Sequence, residues 1–480
     1  MADPGTKNKE LVLSLISHTN VGKTALARTL LRRDVGEVAD RAHVTVVSEA
    51  YRLIEADGAV VKLWDTPGFG SNLAKLAKRL RSSNNPVGWI LHQVWDRLKD
   101  ESLWCSQEAI RNIQADADVV IYLVDALQSP EAVGYVDLEM EILDWIGKPV
   151  LVYLNQVGSV EKGQLRTFEE EWRAHFKDHE VVKNVATLDA FTRCWVQEHQ
   201  ILERAAGLFT GAKKKVAKVA AKAWMEKNRA AFEESMDAIS ELASFALRES
   251  ESLKEKTAIQ KLWPTHPKEE LKKAQENLET RIAEVTSSCI ARLIQIQNLD
   301  GKSAARLEAA TDGDIDVKLG LREVFVAAGG GALAGALGGI GADALAGGLT
   351  LGGGILAGVL GGGLGGFLLA KGFNLAQSDK NRVRWSHPRF VRQIDFILGI
   401  YLAISHFGRG RGDWKDDEGS AWIDLVEETR NEDFSAWEKL WREGGKIEDE
   451  EKLRKLVRKK VRRLSVEIFE DLYPESERLF

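Results

Sequence analysis

Cysteine is scarce in this chain of 480 residues, and its spacing excludes a common kind of metal site. The three cysteines, Cys105, Cys194 and Cys289, lie far apart, so none of them forms a metal-ligand pair with another. We expect buried free thiols in a reducing compartment. Residues 1–10 lack the apolar core of a signal peptide, which predicts that the protein starts in the cytoplasm.

An excess of positive charge is also lacking. The chain has 66 Lys and Arg residues against 72 Asp and Glu residues, a formal net charge of −6. This balance argues against bulk nucleic-acid binding, so we predict no specific nucleic-acid partner. With 44% apolar and 29% charged residues, the chain is long enough for two or three domains with cores of their own.

One short stretch near the N-terminus is the most informative. An apolar, strand-like run at 11–17 leads into a loop that ends in Gly22-Lys23-Thr24, and 25–31 continue with helical spacing. A phosphate-binding loop requires this strand–loop–helix context, although its usual first glycine is Ser17 here. Lys23 would reach the β- and γ-phosphates, and Thr24 would hold Mg²⁺. The residues expected to contact the nucleotide here are Asn20, Val21, Gly22, Lys23, Thr24 and Ala25.

Further motifs follow in order along the chain. A strand-like segment at 61–64 runs into Asp65-Thr66-Pro67-Gly68, where Asp65 would hold the Mg²⁺ water shell and the Gly68 N–H would contact the γ-phosphate. Thr45, between the two motifs, would supply a hydroxyl to the same Mg²⁺. Two more apolar strands follow, the second of which ends at Asn155. This order predicts a small-GTPase-like α/β domain, a mostly parallel sheet flanked by helices.

The first 200 residues resemble the TrmE–Era–EngA group of GTPases, because Asn20 lies three residues before Lys23 as in that group's loop. Phe69 occupies the place of the water-positioning glutamine of Ras-like enzymes, and an apolar side chain cannot orient water. The resemblance implies a monovalent cation, typically K⁺, bound partly by Asn20 and often completed at a G-domain dimer. The alternative is that Asn20 only hydrogen-bonds the loop backbone.

The resemblance implies that Mg²⁺-bound GTP is hydrolysed by in-line attack of water. The catalytic residues that it implies are Asn20, Lys23, Thr45 and Gly68, and the Mg²⁺ ligands are Thr24, Thr45 and Asp65.

The guanine-recognition motif departs from the family. The expected Asn-Lys-x-Asp reads Asn155-Gln156-Val157-Gly158, so the carboxylate that would accept hydrogen bonds from guanine is missing. Losing such an acceptor weakens base discrimination. Thr187 and Leu188 lie where the family's loop closes over the base. A GTPase is favoured, and a hydrolase of relaxed base specificity is the nearest alternative.

The resemblance narrows to bacterial GTPases fused to a C-terminal helical domain of unknown function, over the whole chain. We expect a G domain at 1–200 with a helical insertion at 73–113, and helical regions at 201–320 and 376–480 around a glycine-rich hairpin at 321–375. The insertion's aromatic face is either a docking surface that responds to the γ-phosphate or, as we favour, an ordinary packed helical pair.

The hairpin segment at 324–370 suggests a membrane. It consists almost entirely of Gly, Ala, Leu, Val and Ile, and its glycines recur every four residues, as in closely packed helices. Its first arm, 324–342, would span about 28 Å, close to a bilayer core of about 30 Å. Basic residues outside both arms suit the positive-inside rule. The alternatives are a hairpin buried among the charged helices and a reversible hairpin.

Together these features predict a cytoplasmic, dynamin-like GTPase that associates with the inner membrane and acts with a protein partner or a second G domain. The competing hypothesis is a nucleotide-gated regulatory protein that binds GTP with little turnover.

Overall fold

The computed structural model forms two units, Met1–Asn228 with His406–Arg411, and Arg229–Ser405 with Gly412–Phe480. The residues that the structure describes are 9–32, 49–69, 73, 81, 101–125, 128–155, 162–188, 194–253, 268–298, 376–379, 382–406, 417–473, 476, 479 and 480. Four of the sequence predictions lie outside these residues: Thr45, Gln156, Gly158 and the glycine-rich hairpin at 321–375.

The first unit contains a six-stranded sheet in the order β2-β3-β1-β4-β5-β6. Its strands are β1 (Glu10–Ser17), β2 (Glu49–Ala56), β3 (Ala59–Asp65), β4 (Val119–Asp125), β5 (Val150–Asn155) and β6 (Val182–Thr187). Only the β2–β3 pair is antiparallel among these neighbours. The expectation of a mostly parallel sheet is confirmed.

The turn between β2 and β3 explains why that pair runs antiparallel. Asp57 and Gly58 are the only residues between the strands, and both have positive φ, 48° and 75°. A two-residue turn with positive φ at both positions matches the twist of a hairpin, and Asp-Gly is a preferred sequence for it.

Helices flank the sheet on both faces. In chain order they are α1 (Lys23–Leu31), α2 (Glu101–Ala115), α3 (Tyr135–Ile146), α4 (Lys162–His175), α5 (Trp195–Gly207) and α6 (Gly211–Arg248), which beyond Asn228 belongs to the second unit. Short 3₁₀ turns occupy Pro130–Ala132 and Phe176–Asp178. Of the expected insertion at 73–113, the described part includes Leu73, Arg81 and most of α2.

Strand β4 shows how the layers are built. Val119, Ile121 and Leu123 pack on one face of the sheet with α1, α5 and the start of α6. Val120, Tyr122 and Val124 pack on the other face with α2, α3 and α4. A parallel strand that is covered on both faces reads as a continuous apolar run, which is the pattern in the sequence.

The second unit is mostly helical, as expected. It contains α7 (Lys268–Ile296), α8 (His387–Ser405), α9 (Asp417–Asn431), α10 (Phe434–Gly444) and α11 (Glu450–Leu472). A small antiparallel sheet, in the order β7-β9-β8, consists of β7 (Ser250–Ser252), β8 (Ala376–Asp379) and β9 (Arg382–Arg384).

Helices α8 and α9 are joined by a buried ion pair. Arg430 Nε and Nη2 lie 2.5 and 3.0 Å from the two oxygens of Asp395, and both side chains are 3% exposed. Burial raises the pKa of the Asp395 carboxyl to about 6, against the opposing effect of Arg430. Removing one partner would leave a buried charge without compensation, which strongly destabilises a fold.

The described residues contain neither a membrane-spanning helix nor a cluster of metal ligands. No helix among them is long and apolar enough to cross a membrane. No group of three or more His, Cys, Asp and Glu side chains among them is arranged to hold a metal ion. The three cysteines are buried, and none forms a disulfide.

Candidate nucleotide site

The loop between β1 and α1 needs unusual backbone angles, and its sequence supplies residues that tolerate them. Asn20 has a φ of 66°, and Gly22, directly before α1, has a φ of 97°. Glycine and asparagine are the residues that adopt this left-handed region most readily. The Gly22 carbonyl accepts the first helical hydrogen bond, from Leu26 N at 2.9 Å.

Lys23 is buried at the start of α1 and lies back over the loop. Its Nζ donates to Ser17 Oγ at 3.1 Å and to the His18 carbonyl at 3.3 Å. Burial lowers the pKa of the Lys23 ammonium, and the nearby carboxyls of Asp65 and Glu139 oppose that effect. A bound polyphosphate would add negative charge and favour the charged ammonium.

The Asp65–Gly68 segment lies directly against the loop. A Cβ atom on Gly68 would lie 2.8 Å from Lys23 Nζ and 3.1 Å from Thr19 Cα, so a larger residue would displace the lysine or the loop. The next residue, Phe69, donates its N–H to the Ser17 carbonyl at 2.9 Å. Glycine at position 68 allows this close approach without displacing either neighbour.

Thr24 and Asp65 meet although 41 positions separate them in the sequence. The Thr24 hydroxyl donates to Asp65 Oδ2 at 2.7 Å. Asp65 Oδ1 is buried and has no hydrogen-bond partner among the described residues. Burial raises the pKa of the Asp65 carboxyl to about 6, whereas the Thr24 hydrogen bond and Lys23 lower it. A hydroxyl beside an unsatisfied carboxylate oxygen fits Mg²⁺, which prefers oxygen ligands.

The residues predicted to face the base lie at the ends of β5 and β6. Asn155 is buried, and its Nδ2 donates to the Val21 carbonyl at 2.7 Å, which ties β5 to the loop. Thr187 donates through N–H and hydroxyl to Glu169 Oε1 at 2.7 and 2.8 Å. Leu188 N donates to the Leu154 carbonyl at 2.9 Å.

The structure therefore brings Lys23, Thr24, Asp65 and Gly68 to one place and attaches Asn155 to it through Val21. Ala25 is buried in the first turn of α1. Asn20 lies in the loop itself, between His18 and Gly22.

A second set of residues at this loop belongs to no recognisable sequence motif. His18 Nδ1 lies 2.8 Å from Glu139 Oε1 on α3, and Glu139 is fully buried. One signal was present in the sequence, because Glu139 shares the apolar face of α3 with Val136, Met140 and Leu143. A carboxyl on such a face is rarely buried without a partner.

Two family models match adjacent parts of the chain. Residues 13–156 match the family described as 50S ribosome-binding GTPase, and residues 180–392 match a domain of unknown function, DUF3482. The N-terminal part therefore carries a P-loop GTPase domain, and the resemblance drawn from the motifs is confirmed.

Solved structures similar to this chain include a variant of Aquifex aeolicus Era bound to GDP and tetrafluoroaluminate, at 16% identity and a TM-score of 0.32, covering 42% of this chain and 58% of that one. A probable GTP-binding protein EngB matches at 17% identity and a TM-score of 0.24, covering 37% of this chain and 88% of that one. The FeoB G-domain from Methanococcus jannaschii matches at 17% identity and a TM-score of 0.22, covering 45% and 99%. The match thus spans little more than half of the Era chain. No curated protein matches this chain.

Replacing Asp65 by asparagine tests whether this carboxylate helps to bind Mg²⁺. Asp65→Asn keeps the size of the side chain and removes its charge. The factor by which Mg²⁺ increases the affinity for a fluorescent GTP analogue should therefore be at least about ten-fold smaller in the variant than in the wild type. Binding in EDTA, which measures contacts that need no metal, should change little. Equal Mg²⁺ enhancement in both proteins would contradict the assignment.

The pH dependence follows from the raised pKa of Asp65. Mg²⁺ needs the ionised carboxylate, and lowering the pH through about 6 protonates it. The Mg²⁺-dependent part of the affinity should therefore fall between pH 7 and pH 5 in the wild type, beyond any fall that Asp65→Asn shows. Parallel profiles for the two proteins would exclude Asp65 as the titrating group.

Proposed function

We propose that this chain is a Mg²⁺-dependent GTPase whose N-terminal domain binds GTP and hydrolyses it to GDP and phosphate. The observation that carries the proposal is the 2.7 Å contact between the Thr24 hydroxyl and the Asp65 carboxylate, beside Lys23 and Gly68. The family match of residues 13–156 supports GTP as the nucleotide.

The residues take the following roles. Lys23 binds the β- and γ-phosphates, the Gly68 N–H contacts the γ-phosphate, and Thr24 and Asp65 hold Mg²⁺, joined by Thr45 on the strength of its position in the sequence. Mg²⁺, when bound, would neutralise charge on the phosphate oxygens. Water attacks the γ-phosphorus in line, the bond to the bridging oxygen breaks, GDP leaves with the electron pair, and the water proton ends on the phosphate.

Phe69 leaves the attacking water without the usual positioning residue. Its side chain is fully buried in the core on the α2–α3 side of the sheet, and its N–H is bound to the Ser17 carbonyl. Since Phe69 cannot orient water, efficient hydrolysis requires another contribution. We assign it to K⁺ held partly by Asn20, completed by a second G domain or a protein partner. K⁺ would add positive charge where the transition state is negative.

The buried Phe69 also favours a second candidate function. A GTP-binding protein with little turnover would act as a nucleotide-gated regulator of a partner. A nucleotide hydrolase of relaxed base specificity is a third hypothesis, and it rests on Gly158 in the sequence.

Turnover measured in K⁺ and in Na⁺ separates these functions. We expect wild-type GTP hydrolysis to be at least about ten-fold faster in K⁺, because one added electrostatic contact to the transition state has at least this effect. Asn20→Gly, which tolerates the φ of 66° at this position, should lose the K⁺ stimulation, and Lys23→Ala should lose nucleotide binding. Equal rates in K⁺ and Na⁺ would remove the cation role, and tight binding without hydrolysis under either condition would favour the regulator.

The membrane hypothesis rests on the sequence at 324–370, outside the described residues. We propose that this segment inserts into an anionic bilayer and that the nucleotide cycle controls its engagement, in a dynamin-like manner.

Co-sedimentation of the full chain with anionic vesicles tests membrane engagement. Leu356→Asp should reduce pelleting, because a carboxylate at the centre of a spanning helix costs about 2.5–3.5 kcal/mol. The control is Leu456→Asp on α11, where the leucine is already 40% exposed and pelleting should not change. Absence of pelleting by the wild type with GDP and with a GTP analogue would refute the hypothesis.

A further inference from the structure

A buried polar chain connects the phosphate-binding loop with the layer behind it. His18 Nδ1 lies 2.8 Å from Glu139 Oε1 on α3, and the hydroxyl of Tyr122 on β4 donates to Glu139 Oε2 at 2.6 Å. Glu139 and Tyr122 are both fully buried. Each carboxylate oxygen of Glu139 therefore has one partner, and one of these partners, His18, belongs to the loop.

A second contact fixes the His18 ring. It stacks on Tyr135, one turn before Glu139 on α3, with ring centroids 4.1 Å apart and an interplanar angle of 22°. The hydrogen bond and the stack restrain the ring in different directions, so α3 determines both its place and its tilt. Side-chain rotamer freedom at this point of the loop is thereby largely removed.

His18 in turn borders the proposed phosphate site. Its carbonyl accepts from Lys23 Nζ at 3.3 Å, and its backbone pairs with Phe69, directly after Gly68. A displacement of His18 would move the lysine and the Gly68 segment together. The usual first glycine of the loop is Ser17, so the loop contains a residue of lower backbone freedom at this end.

The cluster is unfavourable as a purely structural element. Burial raises the pKa of the Glu139 carboxyl, and the His18 contact only partly opposes this. Apolar residues flank Glu139 on the same face of α3, where a leucine would pack without desolvating a charge. Such a buried carboxylate is weak evidence for a contribution to stability.

We propose that Glu139 is a positioning residue. Supported by Tyr122, it holds His18 in place and so keeps the first half of the loop in the shape that binds a nucleoside triphosphate. This inference rests on the proposed GTPase function. The three side chains touch the loop and its neighbours, and their effect on the nucleotide passes through the His18 backbone. Preorganisation of this kind strengthens binding by reducing the ordering that the ligand must impose.

The test compares variants of the full chain that remove the link with variants that keep it. Glu139→Leu combined with Tyr122→Phe replaces both buried polar partners by apolar groups, which is close to neutral for folding. His18→Ala removes the other end of the link. Both proteins should bind a fluorescent GTP analogue at least about ten-fold more weakly than the wild type. Glu139→Gln keeps an acceptor for the His18 ring, so its loss should be smaller, at most about three-fold.

A second contact between a histidine and a carboxyl on α3 provides the control. His179 Nδ1 lies 2.6 Å from Asp144 Oδ2 near the other end of α3, so His179→Ala removes the same kind of contact there. It should leave the affinity unchanged. In turnover measurements, His18→Ala should raise KM with little change in kcat, because the loop stabilises the bound substrate and the transition state equally.

Two outcomes would overturn the inference: wild-type affinity of the folded double variant and of His18→Ala, or an equal loss of affinity in His18→Ala and His179→Ala. Lys23→Ala separates this result from a failure of the proposed function. If Lys23→Ala also binds the GTP analogue like the wild type, the proposed site itself is wrong. If only Lys23→Ala loses binding, the site stands and the positioning role falls.

Discussion

The parallel pairing of β1 with both β3 and β4 is the constraint on which the site depends. In this register Leu15 lies opposite Asp65, and Ser17 lies opposite Leu123. The loop after β1 and the segment after β3 therefore leave the sheet at the same edge, where ligands bind in open α/β sheets. A slip of one residue would turn Asp65 to the opposite face and away from Thr24.

The buried charged side chains at this edge lose hydration that the surrounding protein groups only partly compensate. Burial lowers the pKa of Lys23 and raises the pKa values of Asp65 and Glu139, so each charged form is destabilised by lost hydration. His18 and Tyr122 satisfy Glu139, whereas Asp65 retains a buried oxygen with no described partner. A metal ion with a polyphosphate would compensate Asp65 and Lys23 at once, which is why we interpret the arrangement as a binding site and not as a structural ion pair.

Local motifs made part of this site predictable. A few consecutive residues suffice to recognise two of its motifs, Gly22-Lys23-Thr24 and Asp65–Gly68. The apolar strands before these motifs indicated the parallel sheet. The His18–Glu139 contact spans 121 positions and depends on how α3 packs, which no short window contains. The second unit shows the same limit, since helical periodicity predicted its helices but not that Arg430 and Asp395 would join α8 and α9. Its buried polar pairs depend on which helix faces meet.

The most direct test of a GTP site is competition among nucleotides for the full chain with Mg²⁺ present. GTP, ATP and XTP would each displace a fluorescent GDP analogue, and the concentration for half displacement would be compared. We predict that GTP displaces the analogue at a lower concentration than ATP does, by a smaller margin than a site with the guanine-binding carboxylate would show, because position 158 is glycine. Equal potency of ATP and GTP would contradict a GTPase and identify a nucleotide hydrolase or sensor without base selection.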